Sequence, residues 1–393
     1  AAAGGAPGAT GGTNATTPTA PTKLGVVNLA DGSKREFENV RSFRFAGDKS
    51  DWLAVHHAAP ASTGTGSAGG GGGGASGAGS TAGPPGTTLE LVNLAGGMPI
   101  AIANVSEFAF DDAADWVAYA VSIPDQLGNG VQLRQLSSGI TRSLDAQKAS
   151  YRRITWADSS DALAAIRVVS DTSGAVDEQV TALVWQHASA PNSQTIEISA
   201  TTPGVTGGLV LSSDYTIAFG RDARVLYVGL REPRPPRPRT SGAGFTPPSP
   251  GGTAPGAGNT GQLAAAPQTD ADVPSLILWH WKDPRTQSTQ QVQENTDRAF
   301  AYIAAYQVGA AKMVRLSDEK MRTVQRGPKD TWSVGSDNSE YERDAGIKGF
   351  AFRDLYAVNV ATGERKLIQK KVPGGGGGGG GAFGGGAAVA FSP

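Results

Sequence analysis

The chain has 393 residues with 34 basic and 35 acidic side chains, a net charge of −1. That balance argues against a surface built to bind a polyanion such as nucleic acid. It contains no cysteine, which excludes disulfide staples, thiolate metal sites and a cysteine nucleophile. No run of about 18 apolar residues is present, so no membrane-spanning helix is predicted.

Residues 1–22 are Ala, Gly, Thr and Pro apart from Asn14. They cannot bury apolar surface, and disorder is expected there. The start Ala1-Ala2-Ala3-Gly4-Gly5-Ala6-Pro7 and the absence of cysteine fit a mature bacterial protein exported to the periplasm or medium.

Residues 23–393 read as one repeat domain. A phrase of strand, tight turn and strand occurs three times. Val26-Val27-Asn28-Leu29-Ala30-Asp31-Gly32 is followed by Leu91-Val92-Asn93-Leu94-Ala95-Gly96-Gly97. Val358-Asn359-Val360-Ala361-Thr362-Gly363 is the third copy. After the first phrase, Val40–Phe45 alternates apolar and polar side chains, 46–51 is a turn cluster, and a strand starts at Trp52. The same order recurs at 105–110, 111–115 and 116–119, and again at 150–156, 157–161 and 162–166. A fourth copy is read at 209–211, 212–214 and 215–219, and a fifth at 312–316, 317–319 and 320–324. Residues 388–391 repeat the first strand once more, and the chain stops as its turn begins, so a fragment of a longer protein is expected.

Phe45, Phe110, Trp156 and Leu211 take equivalent places, at intervals of 65, 46 and 55 residues. Each interval exceeds the roughly 40–45 residues of a four-stranded propeller blade. The largest interval contains a surface insertion, 58–87 with its glycine run; two others are the Pro-rich 232–271 and 373–386. Within 287–306, Gln290-Gln291-Val292-Gln293 alternates like a strand, and 299–306 is read as a second strand. The fold class predicted is all-β: a β-propeller of four-stranded WD40-like blades, incomplete as given, with long Gly/Pro-rich insertions.

Asp354-Leu355-Tyr356, Ala361-Thr362-Gly363-Glu364 and Val389-Ala390-Phe391-Ser392-Pro393 resemble the WD40-like blades of secreted bacterial proteins. With Leu278-Trp279-His280-Trp281-Lys282-Asp283 and the insertions, the chain looks most like the N-terminal propeller of prolyl oligopeptidase family serine peptidases. The resemblance covers roughly residues 24–393. It implies a propeller that gates and binds peptide and is followed by an α/β-hydrolase domain beyond Pro393. That domain carries a Gly-x-Ser-x-Gly elbow. No such elbow stands here in a strand–turn–helix setting, so no catalytic residue is assigned. No cofactor and no metal are assigned either. The alternative is a stand-alone secreted or periplasmic propeller serving protein interaction or assembly, its open blade edge pairing with another chain.

Four histidines, His56, His57, His187 and His280, offer no triad. His56 and His57 end one strand and point to opposite faces, against a shared metal. Trp279 and Trp281 share one face. Core packing is the reading favoured by the recurrence of Trp52 and Trp116, and an aromatic platform for a peptide or ligand is the alternative. Residues 337–344 are rich in oxygen ligands but lack the Asp-x-Asp-x-Asp-Gly order of a calcium loop. The resemblance suggests that this loop reaches a substrate chamber. Trp279, Trp281, Tyr341 and Arg343 are therefore the expected ligand or peptide contacts. The arginines from Arg231 to Arg239 alternate with prolines and read as an extended spacer.

Overall fold

The computed structural model describes residues 22–47, 51–59, 85–158, 160–170, 178–234, 283, 285, 287–342 and 352–374. The expected disorder of 1–21, most of the three insertions, and the strand read at 388–391 lie outside the described residues.

The first element is a hairpin of β1 (Leu24–Val27) and β2 (Lys34–Phe37), a two-stranded sheet. A seven-stranded antiparallel sheet follows in chain order. It comprises β3 (Val40–Phe45), β4 (Trp52–His57), β5 (Thr87–Asn93), β6 (Ile100–Phe110), β7 (Trp116–Val121), β8 (Gly130–Gln135) and β9 (Thr141–Ala146). β6 joins two blades. Its first half pairs with β5 (Leu91↔Ile100) and its second half with β7 (Phe108↔Tyr119). Blade one is thus β3 to the start of β6, and blade two the rest of β6 to β9. Blade three is a four-stranded meander of β10 (Ser150–Trp156), β11 (Ala162–Ser170), β12 (Glu178–Gln186) and β13 (Gln194–Ile198).

Blade four has a divided inner strand. β14 (Val210–Leu211) and β15 (Ala218–Phe219) both pair with β16 (Val225–Arg231). This corrects the fourth repeat. Residues 209–211 and 215–219 are not partners across a turn but two pieces of one strand, and the true turn is 220–224. Phe219, not Leu211, therefore stands where Phe45, Phe110 and Trp156 stand. A helix, α1 (Gln287–Arg298), precedes β17 (Tyr302–Gln307) and β18 (Lys312–Arg315). The strand read at 290–293 is thus helical. Val292 is 84% exposed, so its alternation buries nothing. Arg285 instead holds the helix flank by donating to Gln293 (2.6 Å) and Asp297 (2.7 Å). The strand read in 299–306 is β17.

Blade five is β19 (Thr323–Arg326), β20 (Trp332–Asp337), β21 (Phe352–Asn359) and β22 (Arg365–Pro373). This corrects the fifth repeat. β18 pairs with β17 and β19 with β20, so 312–316 closes one blade while 323–326 opens the next.

Blades one to four bury apolar side chains on both faces, blade five on the face toward blade four, and successive sheets pack on one another in chain order, which makes the fold an all-β propeller. Leu163, Leu183 and Trp185 of blade three pack on Val131 and Leu133 of blade two. From the other face of blade three, Ile166, Val184 and Ile198 meet Leu226 and Val228 of blade four. Tyr227, Val314 and Leu316 of blade four meet Val324 and Val358 of blade five. Full burial of one such aliphatic or aromatic side chain stabilises by about 1.5–3 kcal/mol. The β1–β2 hairpin covers Leu53, Val55 and Val92 of blade one. It corresponds to the two outer strands of a blade, and β1 has no further strand partner among the described residues.

The turn joining the outer strands explains the repeated phrase. Asn28, Asn93 and Asn359 each accept the N–H two residues on, from Ala30 (3.0 Å), Ala95 (2.9 Å) and Ala361 (2.9 Å). The side chain thereby closes the turn that the backbone has begun. Gly32 and Gly363 then take φ of 71° and 76°, which a side chain disfavours.

Candidate functional site

The turns between the first and second strands of the blades have one geometry. The residue after the inner strand donates its N–H to the first residue of the next strand: Ala46 to Trp52 (2.9 Å), Asp111 to Trp116 (3.1 Å), Ala157 to Ala162 (2.9 Å) and Gly220 to Val225 (2.8 Å). Ala114, Ala223 and Asp330 sit at matching left-handed positions, with φ of 60°, 52° and 52°. The repeat thus delivers five loops to one end of the fold.

Asp158 borders three depressions at that end. One, of about 400 Å³, is shared with Asp112, Trp116 and Trp156. A second, of about 380 Å³, includes Arg44, Phe45 and Phe110. A third, of about 620 Å³, includes Arg221, Arg326 and Pro328. Every blade therefore contributes to one polar mouth floored by aromatic rings. A further depression, of about 690 Å³, lies beside it between the turns of blades three, four and five and includes His187 and Arg224.

Several mouth carboxylates hold turns together. Asp111 accepts the N–H groups of Asp115 (2.9 Å) and Trp116 (2.8 Å), and burial pushes its carboxyl up despite those bonds. Asp330 accepts the Tyr227 hydroxyl (2.9 Å) and the Arg221 N–H (2.5 Å), locking blade five to blade four. Asp161 accepts the N–H (2.9 Å) and hydroxyl (2.5 Å) of Ser189. Trp156 is pinned by donating Nε1–H to the Ala109 carbonyl at 3.1 Å. The side chains of Arg44, Asp112 and Asp158, by contrast, make no hydrogen bond or ion pair among the described residues. A mouth that offers the uncommitted side chains of Arg44, Asp112 and Asp158 among the described residues can meet an extended chain through its polar backbone and charged ends, with aromatic rings beneath.

Of the expected contacts, only Tyr341 is described. It lies beyond β20, at the end of blade five away from these turns. Its hydroxyl donates to Asp354 (2.8 Å), and its ring meets Phe352 edge-on at 6.0 Å. The bond to Asp354 pushes the Tyr341 hydroxyl up to about 12. Asp337 is spent on Ser339, accepting its N–H (2.9 Å) and hydroxyl (2.6 Å). Trp279, Trp281 and Arg343 lie outside the described residues.

His56 is buried, its Nε2 lying 2.8 Å from the Val105 carbonyl and 2.9 Å from the Thr87 hydroxyl, and burial pushes its pKa down. His57 turns the other way, between the Glu38 carbonyl (3.0 Å) and the Glu90 carboxylate (3.1 Å). Among the described residues no three His, Asp or Glu side chains gather as a metal site. The mouth residues were passed over in the sequence because aspartates in turn clusters read as turn formers. Their recurrence directly after each inner strand is the signal that marks them.

No family model matches the sequence, and no curated protein matches it. Among solved structures, the chain is similar to the β-propeller domain of the Trilobed protease from Pyrococcus furiosus, at 8% identity over 89% of this chain and 90% of that one, with a TM-score of 0.30. It is similar to prolyl oligopeptidase B from Galerina marginata at 8% identity over 90% of this chain and 39% of that one, TM-score 0.37. The tricorn protease matches at 9% identity and a TM-score of 0.33, with 89% of this chain spanning 28% of that one. At these scores the strand pairing described above, not the likeness, establishes the fold.

Proposed function

We propose that this chain is the propeller portion of a secreted or periplasmic prolyl-oligopeptidase-like serine peptidase, gating and binding peptide at the mouth around Asp158 without catalytic residues of its own. The observation that carries the reading is the convergence of five equivalent turns on one opening, with the side chains of Arg44, Asp112 and Asp158 uncommitted there among the described residues. The sequence supports it through the blade phrases shared with that family and the missing Gly-x-Ser-x-Gly elbow. Chemistry then belongs to a separate α/β-hydrolase domain. A labelled, unstructured octapeptide should bind the purified chain saturably, and Asp158→Lys should weaken binding at least fivefold. Covalent labelling of the chain by a serine-directed phosphonate, or peptide binding indifferent to Asp158→Lys, contradicts the proposal.

A second reading, a stand-alone interaction or assembly module, is favoured by one observation. β1 offers an unpaired edge among the described residues, with Val27 47% and Leu29 97% exposed. Light scattering across a hundredfold range of concentration separates the two. Concentration-dependent association abolished by Val27→Lys supports assembly, and a constant monomer mass opposes it.

A further inference from the structure

The two ends of the blade series leave aromatic surface bare. Within the series, inner strands turn large side chains back onto the preceding blade and small ones forward. Phe108 and Phe110 of β6 pack back on Ala46, Ala54 and Leu89 of blade one. Ile154 and Trp156 of β10 pack back on Ala109 and Ala118 of blade two. β3 carries the same large side chains and has no full blade behind it. Phe43 and Phe45 pair with Val55 and Leu53 and share their face, yet they are 51% and 39% exposed, where Phe110 is 8%. The β1–β2 hairpin covers Leu53, Val55 and Val92 on that face, and the cluster it forms with them includes neither ring. At the other end, β20 of blade five turns Gly335 toward blade four, opposite Val324, and Trp332 the other way, where it is 39% exposed. Among the described residues no apolar cluster joins blade five to the hairpin or to blade one.

The chain carries a segment that matches this opening. Val389-Ala390-Phe391 repeats the large–small–large order of Phe108-Ala109-Phe110, and 388–391 is uncharged throughout. β22 closes blade five at the end opposite the mouth, which is where each inner strand begins. Three residues, 147–149, make the equivalent join between β9 and β10. Residues 374–387 are available to make it after β22, and an extended chain covers about 3.3 Å per residue, so reach does not limit the closure.

We propose that residues 388–391 dock in this opening as the inner strand of a sixth blade, whose outer half is the β1–β2 hairpin. Val389 and Phe391 face back to Trp332 of blade five. Ala390 faces forward to Phe45, as Ala109 does to Trp156. Phe45 then gains the cover that Phe110 has. The tether after β22 favours this segment over a second copy by holding it at high effective concentration beside the opening. The proposal stands apart from the peptide-binding reading, and its test involves no ligand.

The test is hydroxyl-radical footprinting, read by mass spectrometry, on the full chain and on its Val389→Asp/Phe391→Asp variant. The docked strand predicts that Phe43, Phe45 and Trp332 are oxidised at least threefold more slowly in the wild type than in the variant. Leu127, 76% exposed in blade two, is the reference and should react alike in both. Equal rates at Phe43, Phe45 and Trp332 in the two proteins overturn the proposal. So does wild-type protection that disappears on hundredfold dilution, which assigns this face to a second copy. Should the variant not fold, Ala390→Cys decides in this cysteine-free chain. Reaction with a small maleimide at least tenfold slower than that of Gly378→Cys supports the docked strand, and equal reactivity overturns it.

Discussion

The Glu107 carboxylate of blade two accepts the backbone N–H of Arg153 in blade three at 2.7 Å. Arg153 sits at a register shift between Arg152 and Thr155, with φ of 59°. Its guanidinium continues to the Asp214 carbonyl in blade four. One side chain thus holds a bulged inner strand in place, and that strand ties three blades together. Glu107→Ala removes the acceptor from the N–H groups of Arg153 and Ile154. The expected cost is about 1–3 kcal/mol in chemical denaturation.

The same carboxylate carries a pH signature. Burial pushes Glu107 up from 4.5, its bonds to Arg153 notwithstanding. A raised folded-state pKa contributes stability that is fully present below the unfolded value and is lost as pH rises through the folded one. Denaturation at pH 4.5 and pH 7.5 should therefore show the wild type losing stability relative to Glu107→Gln. Parallel behaviour of the two proteins rules out this role for the carboxyl.

Tyr227 lies wholly buried in blade four and donates to Asp330 of the blade-five turn. Burial, and next the bond to Asp330, push its hydroxyl well above the usual phenol range, so it stays a donor through the working pH range. Tyr227→Phe strips one bond from Asp330 and is expected to cost about 0.5–1.5 kcal/mol. Because Asp330 also holds the Arg221 N–H, the change should raise amide exchange at 220–224, which hydrogen-exchange mass spectrometry reads directly.

Gly204 has φ of 93°, and a Cβ there would stand 2.0 Å from the Met313 carbonyl oxygen. Neighbouring Pro203 accepts the Met313 N–H at 2.7 Å, so the two backbones cannot part without losing that bond. Gly204→Ala should cost at least about 2 kcal/mol, combining left-handed strain with the clash. Gly25→Ala, where a Cβ meets nothing within 4 Å, is the matched control and should change stability by less than about 0.5 kcal/mol.

Tyr341 offers an alkaline test at the other end of blade five. Its folded pKa, pushed up to about 12, lies above the ordinary phenol value of 10.0, chiefly through the bond to Asp354. The stability it contributes is therefore present below pH 10 and is lost as pH rises toward 12. Tyr341→Phe should flatten that loss. An identical alkaline limb in both proteins shows that the bond does not form in solution.

The blade grammar was legible because it is local. The Asn-x-Ala turn, the alternation of Val40–Phe45 and the aromatic residue ending the inner strands of blades one to three all follow from contacts within a few residues. Blade four was misread because residues 212–217 interrupt its inner strand. The two halves share β16 as partner, a relation that sequence spacing does not carry. The helix at 287–298 was missed because its one aliphatic side chain, Val292, is exposed and no apolar stripe marks it. It is held by Arg285 and by the Arg298–Glu294 pair rather than by a buried stripe. The mouth was illegible for a further reason. Arg44, Asp112 and Asp158 come from three blades, and only the ring of turns brings them to one opening.

Hydrogen-exchange mass spectrometry of the chain with and without a saturating unstructured octapeptide tests the central claim most directly. The account predicts protection confined to the turns after the inner strands, at 46–47, 111–115, 157–158, 220–224 and 327–331, and its loss in Asp158→Lys. Protection confined to the opposite end of the blades, or none at peptide concentrations that saturate binding, contradicts it.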